Sequence, residues 1–428
     1  MGRGRRAFHV QAYGAALGYL ADTLLGDPGR GHPVAAFGRA AAALERRLWH
    51  DHRAWGALHT VACAGGAAAL GGLWQAAVRS AGRGARSTDV LGQAVVAWSV
   101  LGGTGLAREA RAVAAALEAG DLDLARERLP RLCGRDPHRL DAEGVARAVV
   151  ESVAENTSDA VVGALVWGAL AGVPGLAGFR AVNTLDAMVG HRSPRHRRFG
   201  WAAARLDDAA GLPGSRLTAA LAVLAGPDPR GALRAWRADA GRHPSPNAGP
   251  VEAAFAGALG VRLGGTLSYA GRTEYRPVLN APGRAVRRTD IERAVRLSRR
   301  VGLLALAVTG VAGAAGRAVA RGGSAGRGRG RDLPDAGAPA RHGRPVRREE
   351  PAPEPGGPAG RGRGERNERK GGRGPGRGRD EQGGRQGGTG PGERSGPQSG
   401  PGPGRARGGR SERRRGFGGG LGRGESGW

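Results

Sequence analysis

Residues 159–180 read DAVVGALVWGALAGVPGLAGFR, with no charged side chain between Asp159 and Arg180. As one straight helix, the 20 residues between these two would span about 30 Å, the thickness of a bilayer's hydrocarbon core. Gly172 and Pro174 interrupt the run, and residues of these two types disfavour a straight helix. We therefore predict a broken or re-entrant segment that returns both of its ends to the same side of the molecule.

Polar clusters lie on both sides of this run. Glu151, Glu155 and Asp159 precede it at intervals of four, so one helix face carries all three carboxylates. Asn183 and Asp186 follow it and also share a helix face. Because three carboxylates at this spacing repel one another, they favour a cation across them, and Mg²⁺ bound through phosphate oxygens suits the donor set. A solvated acidic face paired with arginines is the alternative that spacing alone leaves open.

Three further apolar runs lie at residues 59–79, 89–108 and 300–317. They are rich in Ala and Gly, which suit close helix packing in lipid. Alternating β-branched residues, the usual signature of a strand, are nearly absent. We predict an all-α, polytopic membrane protein with small-residue-rich helices and polar helical loops. A soluble Ala-rich bundle is the alternative.

Composition separates residues 321–428 from the rest of the chain. They hold 36 of the 81 glycines and few aliphatic residues, a composition that cannot bury enough apolar surface to fold. We predict a domain at residues 1–320 and a disordered Gly/Arg/Pro-rich tail at 321–428. The tail's composition resembles a GC-rich reading frame read out of register, as a frameshift or a missed stop codon would produce.

Residue counts exclude several function classes. The two cysteines, Cys63 and Cys133, form no CxxC pair, which excludes a disulfide scaffold and a thiolate zinc site. Lys370 is the only lysine, so residues 1–320 hold no catalytic lysine and no P-loop. The net charge of +29 is spread along the chain and aromatic residues are few, so we expect no specific nucleic-acid partner.

Three shorter motifs carry further polar groups. Asp22 interrupts an apolar stretch, Asp27 begins an ordinary Asp-Pro-Gly turn, and His32 is a candidate general base. The doublet at 207–208 is typical of phosphate-handling sites but also of helix caps. Residues 243–252, HPSPNAGPVE, form a proline-fixed loop that presents Asn247.

Five segments occur in one order along the chain. They are DTLLGDPGRGHPVAAFG (22–38), ESVAENTSD (151–159), RAVNTLDAMVG (180–190), FGWAAARLDD (199–208) and HPSPNAGPVEAAFAGALGVRLGG (243–265). Over roughly residues 10–320 this order and spacing resemble the CobD/CbiB family, the membrane-bound adenosylcobinamide-phosphate synthases of cobalamin biosynthesis.

The resemblance implies an ATP-dependent ligase in the cell membrane, multi-pass, with its active site facing the cytoplasm. It implies that adenosylcobyric acid is joined through a propionate carboxyl to the amine of (R)-1-aminopropan-2-ol or its O-phosphate, with Mg²⁺ and ATP. The site residues that it implies are catalytic Glu151, Glu155, Asp186 and His32, substrate- or ATP-binding Asn156, Arg180, Asn183, Arg205, Arg216 and Asn247, and magnesium-binding Asp159, Asp207 and Asp208.

The chain departs from the family pattern in two places. Gly211 stands where the family commonly has Asn, and the proline that follows is shifted by one position. Ala160 and Ala164 stand where Gly and Pro are usual. Two other functions remain as alternatives: an AmpE-like membrane signalling protein without ligase activity, and a basic RNA- or membrane-surface-binding protein led by the tail.

Overall fold

A computed structural model describes residues 3–27, 31–81, 85–134, 136–191, 193–269 and 272–328. The helices and strands are α1 (Arg3–Leu25), α2 (Pro33–Leu48), α3 (Arg53–Thr60), α4 (Gly66–Ser80), α5 (Ala85–Val100), α6 (Gly103–Glu118), α7 (Leu122–Arg128), α8 (Ala142–Asn156), α9 (Gly163–Ala171), α10 (Val173–Val189), α11 (Trp201–Ala225), α12 (Pro229–Asp239), α13 (Ala248–Leu259), β1 (Leu263–Tyr269), β2 (Arg272–Leu279) and α14 (Arg288–Gly328). Two π turns, Val61–Gly65 and Thr157–Val162, join α3 to α4 and α8 to α9.

Most of the described chain is helical, as predicted, but the all-α prediction is wrong at residues 263–279. Here β1 and β2 form an antiparallel hairpin, with Leu263 paired to Leu279 at its base and a register shift between Leu263 and Gly265. Contacts from distant residues hold this hairpin. Glu151 on α8 accepts a hydrogen bond from the Gly264 N–H (2.6 Å), and Asp239 accepts one from the Asn280 N–H (2.7 Å). Because the contacts come from side chains outside the strands, the local sequence pattern does not reveal them.

Replacing Glu151 with alanine should therefore destabilise the protein. Glu151 is 2% exposed, and its loss leaves the Gly264 N–H without this acceptor. We expect the free energy of unfolding to fall by about 1–3 kcal/mol, the usual effect of stranding a buried donor. Thermal unfolding measures this, with Glu143→Ala on the exposed first turn of α8 as the control. Equal melting temperatures for the two variants would contradict this role.

Residues 159–180 form a broken segment, which confirms the prediction from Gly172 and Pro174. The chain passes from the π turn into α9, and α10 begins directly after Gly172. Gly172 adopts φ +69° and ψ −141°, a conformation that is essentially restricted to glycine. The reversal packs α10 back along α9, so the chain before α9 and the end of α10 come close together.

The centre of the fold is α13, every residue of which is buried. It packs against α8, α11 and α12. Because α13 is buried on every side, it is held firmly by its neighbours. The loop that enters it at Asn247 is therefore held in place against α11.

Two described helical stretches, Arg53–Ser80 and Ser87–Glu118, are long and apolar enough to cross a membrane. They contain the predicted runs 59–79 and 89–108, whereas the run 300–317 lies in α14. Length and composition thus give weak support for membrane association, and they do not establish the predicted multi-pass topology.

The boundary predicted at residue 320 falls within α14, which continues to Gly328. Residues 329–428 lie outside the described residues. Disorder in the tail therefore stays a prediction.

Candidate active site

Acidic side chains from three parts of the chain lie together beside the broken segment. We call Glu155, Asp159, Asp186, Asp207 and Asp208 the carboxylate cluster. Burial raises the pKa of Asp159 well above its usual 3.8, and the carboxylates of Asp207, Glu155 and Asp186 raise it further. Asp159 belongs to the π turn, a local geometry found often at functional sites. The structure thus brings both ends of residues 159–180 to one place.

Asp207 on α11 is a second focus of the cluster. Burial and the nearby Asp186 carboxylate raise its pKa to about 7, against a hydrogen bond with Asn183 that lowers it. Burial also raises the pKa of Asp186, where His191 lowers it and Asp208 raises it. The cluster therefore holds several carboxylates that repel one another when they are ionised.

Arg180 is the cation that faces this cluster from within the protein. Its side chain is 7% exposed, and its Nη1 donates weakly to Asn183 Oδ1 (3.4 Å). Burial lowers the pKa of Arg180, while the carboxylates of Asp159 and Asp27 raise it. The guanidinium thus lies near both Asp159 and Asp27.

Asp27 is a candidate that the sequence motif did not single out. Burial and the Asp22 carboxylate raise its pKa to about 6, against the lowering effect of Arg108 and Arg180. Within the described residues neither carboxylate oxygen of Asp27 has a hydrogen-bond partner. Its closeness to Arg180 arises from tertiary packing, so its Asp-Pro-Gly context gave no signal of it.

His32 is another neighbour of Arg180. Its Nδ1 accepts a hydrogen bond from the Val34 N–H (3.2 Å) and so caps α2. Burial and the positive charge of Arg180 lower the pKa of His32 below its usual value. The imidazole is therefore neutral at physiological pH, with its proton on Nε2, because Nδ1 accepts the hydrogen bond that caps α2.

Two predicted residues have other contacts. Glu151 holds the hairpin, as described above, and it is not among the groups that shift the pKa of Asp159 or Asp207. Asn156 donates to the backbone oxygen of Ser152 (2.9 Å) on its own helix. The contact described for Glu151 is therefore with the hairpin.

A cleft of about 680 Å³ adjoins the cluster, and we call it the basic cleft. Its charged and aromatic lining residues are His191, His196, Arg197, Trp201, Arg205, Asp208, Arg216, Trp236 and His243. Among the described residues that line it, Asp208 is the only carboxylate. Since His191 and Asp208 also act on Asp186, the basic cleft and the carboxylate cluster are neighbours.

Asn247 fixes one wall of the basic cleft. Its Nδ2 donates to the Asp208 backbone oxygen (2.9 Å), and its Oδ1 accepts from Ser215 Oγ (3.0 Å) and Arg216 Nη1 (3.2 Å). Arg216 Nη1 also donates to the Pro246 oxygen (2.7 Å). The predicted residues Arg216 and Asn247 thus act together, and Arg205 lies 3.6 Å from Asp208 nearby.

The predicted magnesium ligands do not form a closed site. Within the described residues no three His, Cys, Asp or Glu side chains are arranged to hold a metal ion. Magnesium, however, is commonly bound by one or two carboxylates together with phosphate oxygens and water. Asp186 and Asp207, whose pKa values are raised by burial and by neighbouring carboxylates, supply hard oxygen donors that fit such an ion.

Comparison with known proteins identifies a family. The family described as CobD/Cbib protein matches residues 15–298. The cobalamin biosynthesis protein CobD of Mycobacterium tuberculosis (strain ATCC 25618 / H37Rv) is 53% identical over 296 residues, which cover 68% of this chain and 92% of that protein. The protein of the same name from Chromobacterium violaceum is 44% identical over 283 residues, covering 66% of this chain and 90% of that protein.

A third relative matches a shorter stretch. The cobalamin biosynthesis protein CobD of Rhodobacter capsulatus is 48% identical over 206 residues, or 48% of this chain and 66% of that protein. No solved structure matches the chain. The match to the family's model and the long alignments agree with the order of the five sequence segments, and the chain belongs to the CobD/CbiB family, with a role in cobalamin biosynthesis.

Proposed function

We propose that this chain is an ATP-dependent ligase that makes the amide bond between adenosylcobyric acid and (R)-1-aminopropan-2-ol or its O-phosphate. One observation carries the proposal. Asp159, Asp186 and Asp207, from three separate motifs, meet at a site that adjoins a cleft lined by arginines. A reaction between ATP and a carboxylate requires both the acidic site and the arginine-lined cleft. Cations must offset the negative charge of the phosphates, and hydrogen-bond donors must hold the anionic substrate.

The proposed chemistry has two steps. An oxygen of the substrate carboxylate attacks the γ-phosphorus of ATP, ADP leaves, and an acyl phosphate forms. The amine nitrogen then attacks the acyl carbon, the carbon–oxygen bond to phosphate breaks, and the nitrogen loses a proton. Inorganic phosphate therefore leaves with one oxygen that came from the carboxylate.

The described residues suggest how these tasks are divided. Asp186 and Asp207 would hold magnesium, which when bound neutralises phosphate charge. Asn183 orients Asp207, and Arg180 offsets the charge of Asp159. A carboxylate of the cluster accepts the amine proton, and His32 could do so only once its Nδ1 releases the Val34 N–H.

We further propose that the chain lies in the cell membrane as a multi-pass protein with its active site facing the cytoplasm. Several helices expose large apolar side chains, which suits contact with lipid. They are Leu17, Leu20 and Leu24 on α1, Leu70 and Leu73 on α4, Leu91 and Val95 on α5, and Leu303, Val308 and Val311 on α14.

The test of the ligase proposal is direct. Membranes that contain the full chain are incubated with adenosylcobyric acid, Mg–ATP and either form of the amine, and the amide is sought by mass spectrometry. We expect product that requires ATP and disappears with excess EDTA. Well-folded protein that forms no amide with either amine would contradict the proposal and favour the AmpE-like alternative, a signalling protein without ligase activity.

Deletion of residues 329–428 separates the ligase from a function led by the tail. We expect a chain that ends at Gly328 to retain amide formation, because the match to the family's model ends at residue 298. Product yield and RNA binding are measured side by side for the two chain lengths. Loss of the amide product on deletion would contradict this expectation.

Replacing Gly211 with alanine should weaken substrate binding more than it changes stability. A Cβ at this position would lie 2.4 Å from Asn247 Nδ2, so Asn247 must shift and its contacts with Asp208 and Arg216 weaken. Alanine's helix propensity, about 1 kcal/mol better than glycine's, offsets the lost hydrogen bonds in the free energy of unfolding. We expect KM to rise with kcat little changed.

The matched control is Gly310→Ala on α14, where an added Cβ meets nothing within 4 Å. Its KM should equal that of the wild type. An unchanged KM for Gly211→Ala would show that Asn247 does not fix the wall of the basic cleft.

A further inference from the structure

We propose that the basic cleft is a magnesium-independent binding site for the phosphate dianion of a substrate, beside the carboxylate cluster with which it shares Asp208. The inference rests on the proposed function, since both ATP and the phosphorylated amine carry such a group. It assigns the phosphate to particular residues and separates its binding from that of the metal.

Two arginines of the basic cleft have no ion-pair partner among the described residues. Arg216 is held through Nη1 by neutral acceptors, the Pro246 oxygen, Ser215 Oγ and Asn247 Oδ1, and among the described residues no carboxylate forms an ion pair with it. Arg197 has no ion-pair partner within the described part of the chain. Fixed cations in a cleft concentrate anions, and the planar guanidinium fork matches phosphate oxygens.

The loop that carries Arg197 is held by contacts of its neighbours Arg195 and His196. Glu45 on α2 lies 3.2 Å from both Nε and Nη2 of Arg195 and 3.0 Å from His196 Nε2. Trp49 donates from Nε1 to the Arg195 oxygen (3.3 Å), and the Arg195 guanidinium lies over the Trp49 ring at 4.6 Å. These contacts of Arg195 already order the loop. Binding of an anion there therefore costs little conformational entropy.

Most carboxylates of the cluster are absent from the described lining of the basic cleft. Asp159, Asp186 and Asp207 do not line the basic cleft, and its one carboxylate, Asp208, lies 3.6 Å from Arg205. Among the described residues, the lining of the basic cleft therefore holds more arginines than carboxylates. A phosphate dianion can enter the cleft without a metal ion to bridge it to acidic side chains.

The experiment uses the purified full chain in detergent with EDTA present. Binding of O-phosphoethanolamine, an amino-alcohol phosphate, and of metal-free ATP is measured by calorimetry in separate arms. We expect at least one of them to bind without magnesium, more weakly as salt is added. Arg197→Gln should weaken that binding by about tenfold or more, the effect of losing a hydrogen bond between charged groups.

Arg198→Gln is the matched control, because it makes the same charge change one residue away. Arg198 lies 3.6 Å from Asp51 and does not line the basic cleft. Its binding should match that of the wild type. Binding of phosphoethanolamine alone assigns the site to the amine substrate's phosphate, and binding of ATP alone assigns it to the nucleotide.

Two results would overturn the inference: no binding of either probe in EDTA, or equal weakening by Arg197→Gln and Arg198→Gln. These failures differ from failure of the ligase proposal. Amide formation without metal-free binding removes only the anion site, whereas probe binding that depends on Arg197, in a chain that forms no amide, leaves the anion site and removes the ligase.

Discussion

Replacing Asp207 with asparagine is expected to abolish amide formation while making the protein more stable at pH 8. Asparagine keeps the shape and the hydrogen-bonding reach of the side chain but removes its charge. We expect a loss of at least about 100-fold in kcat/KM, comparable to removing one charge-stabilising group from an active site. Product formation is measured by mass spectrometry in the presence of Mg–ATP.

The gain in stability follows from the raised pKa of Asp207, which is about 7 in the folded protein against 3.8 as its ordinary value. Below pH 3.8 the carboxyl is protonated in both the folded and unfolded states, so it carries no penalty. Between these values the unfolded chain ionises first, and above about pH 7 the full penalty of a crowded, buried charge is present. Asparagine removes that penalty, so its advantage should appear at pH 8 and vanish near pH 3.

Thermal unfolding in EDTA buffer at the two pH values checks this second half of the prediction. Asp123→Asn is the control, since the Asp123 side chain is 94% exposed. Neither its activity nor its melting temperature should change appreciably. An Asp207→Asn variant that retains activity would remove Asp207 from the site.

Replacing Gly172 with alanine is expected to reduce stability and activity together. The φ of +69° with ψ of −141° is strained for any residue with a Cβ, at about 1–3 kcal/mol. An added Cβ would also lie 2.5 Å from Gln75 Nε2. Because Gly172 sets how α10 returns beside α9, a shift at this turn displaces Asp186 relative to Asp159.

Gly66→Ala provides the comparison, because Gly66 is helical and an added Cβ meets nothing within 4 Å. Alanine there should leave activity unchanged and raise the free energy of unfolding slightly. A Gly172→Ala variant with the wild-type melting temperature would show that the turn tolerates a side chain and does not set the geometry of the cluster.

The broken segment was predictable from sequence because its cause is local. Gly172 and Pro174 both disfavour a straight helix. The polar clusters at the two ends of the segment can form one site only if both lie on the same side of the membrane. The structure also places Asp159, Asp186 and Asp207 together, as their shared assignment to one site requires. In these places short sequence motifs are sufficient to predict the structure.

The parts that sequence did not predict depend on distant contacts. Nothing in residues 263–279 indicates that Glu151 and Asp239 hold them as a hairpin, and the four-residue spacing that groups Glu151 with Glu155 does not reveal it. The ordering of the loop at 190–200 depends on Glu45, about 150 positions earlier. Asp27 likewise meets Arg180 only through packing of the first helices.

The central claim is that the carboxylate cluster and the basic cleft form one reaction centre, in which a carboxylate is activated by ATP and then captured by an amine. Oxygen tracing tests it most directly. Adenosylcobyric acid labelled with ¹⁸O in its free carboxyl group is converted by the full chain with unlabelled Mg–ATP and amine. We predict that the released inorganic phosphate carries one ¹⁸O per amide formed. Phosphate without the label, or amide formed without ATP, would contradict the account.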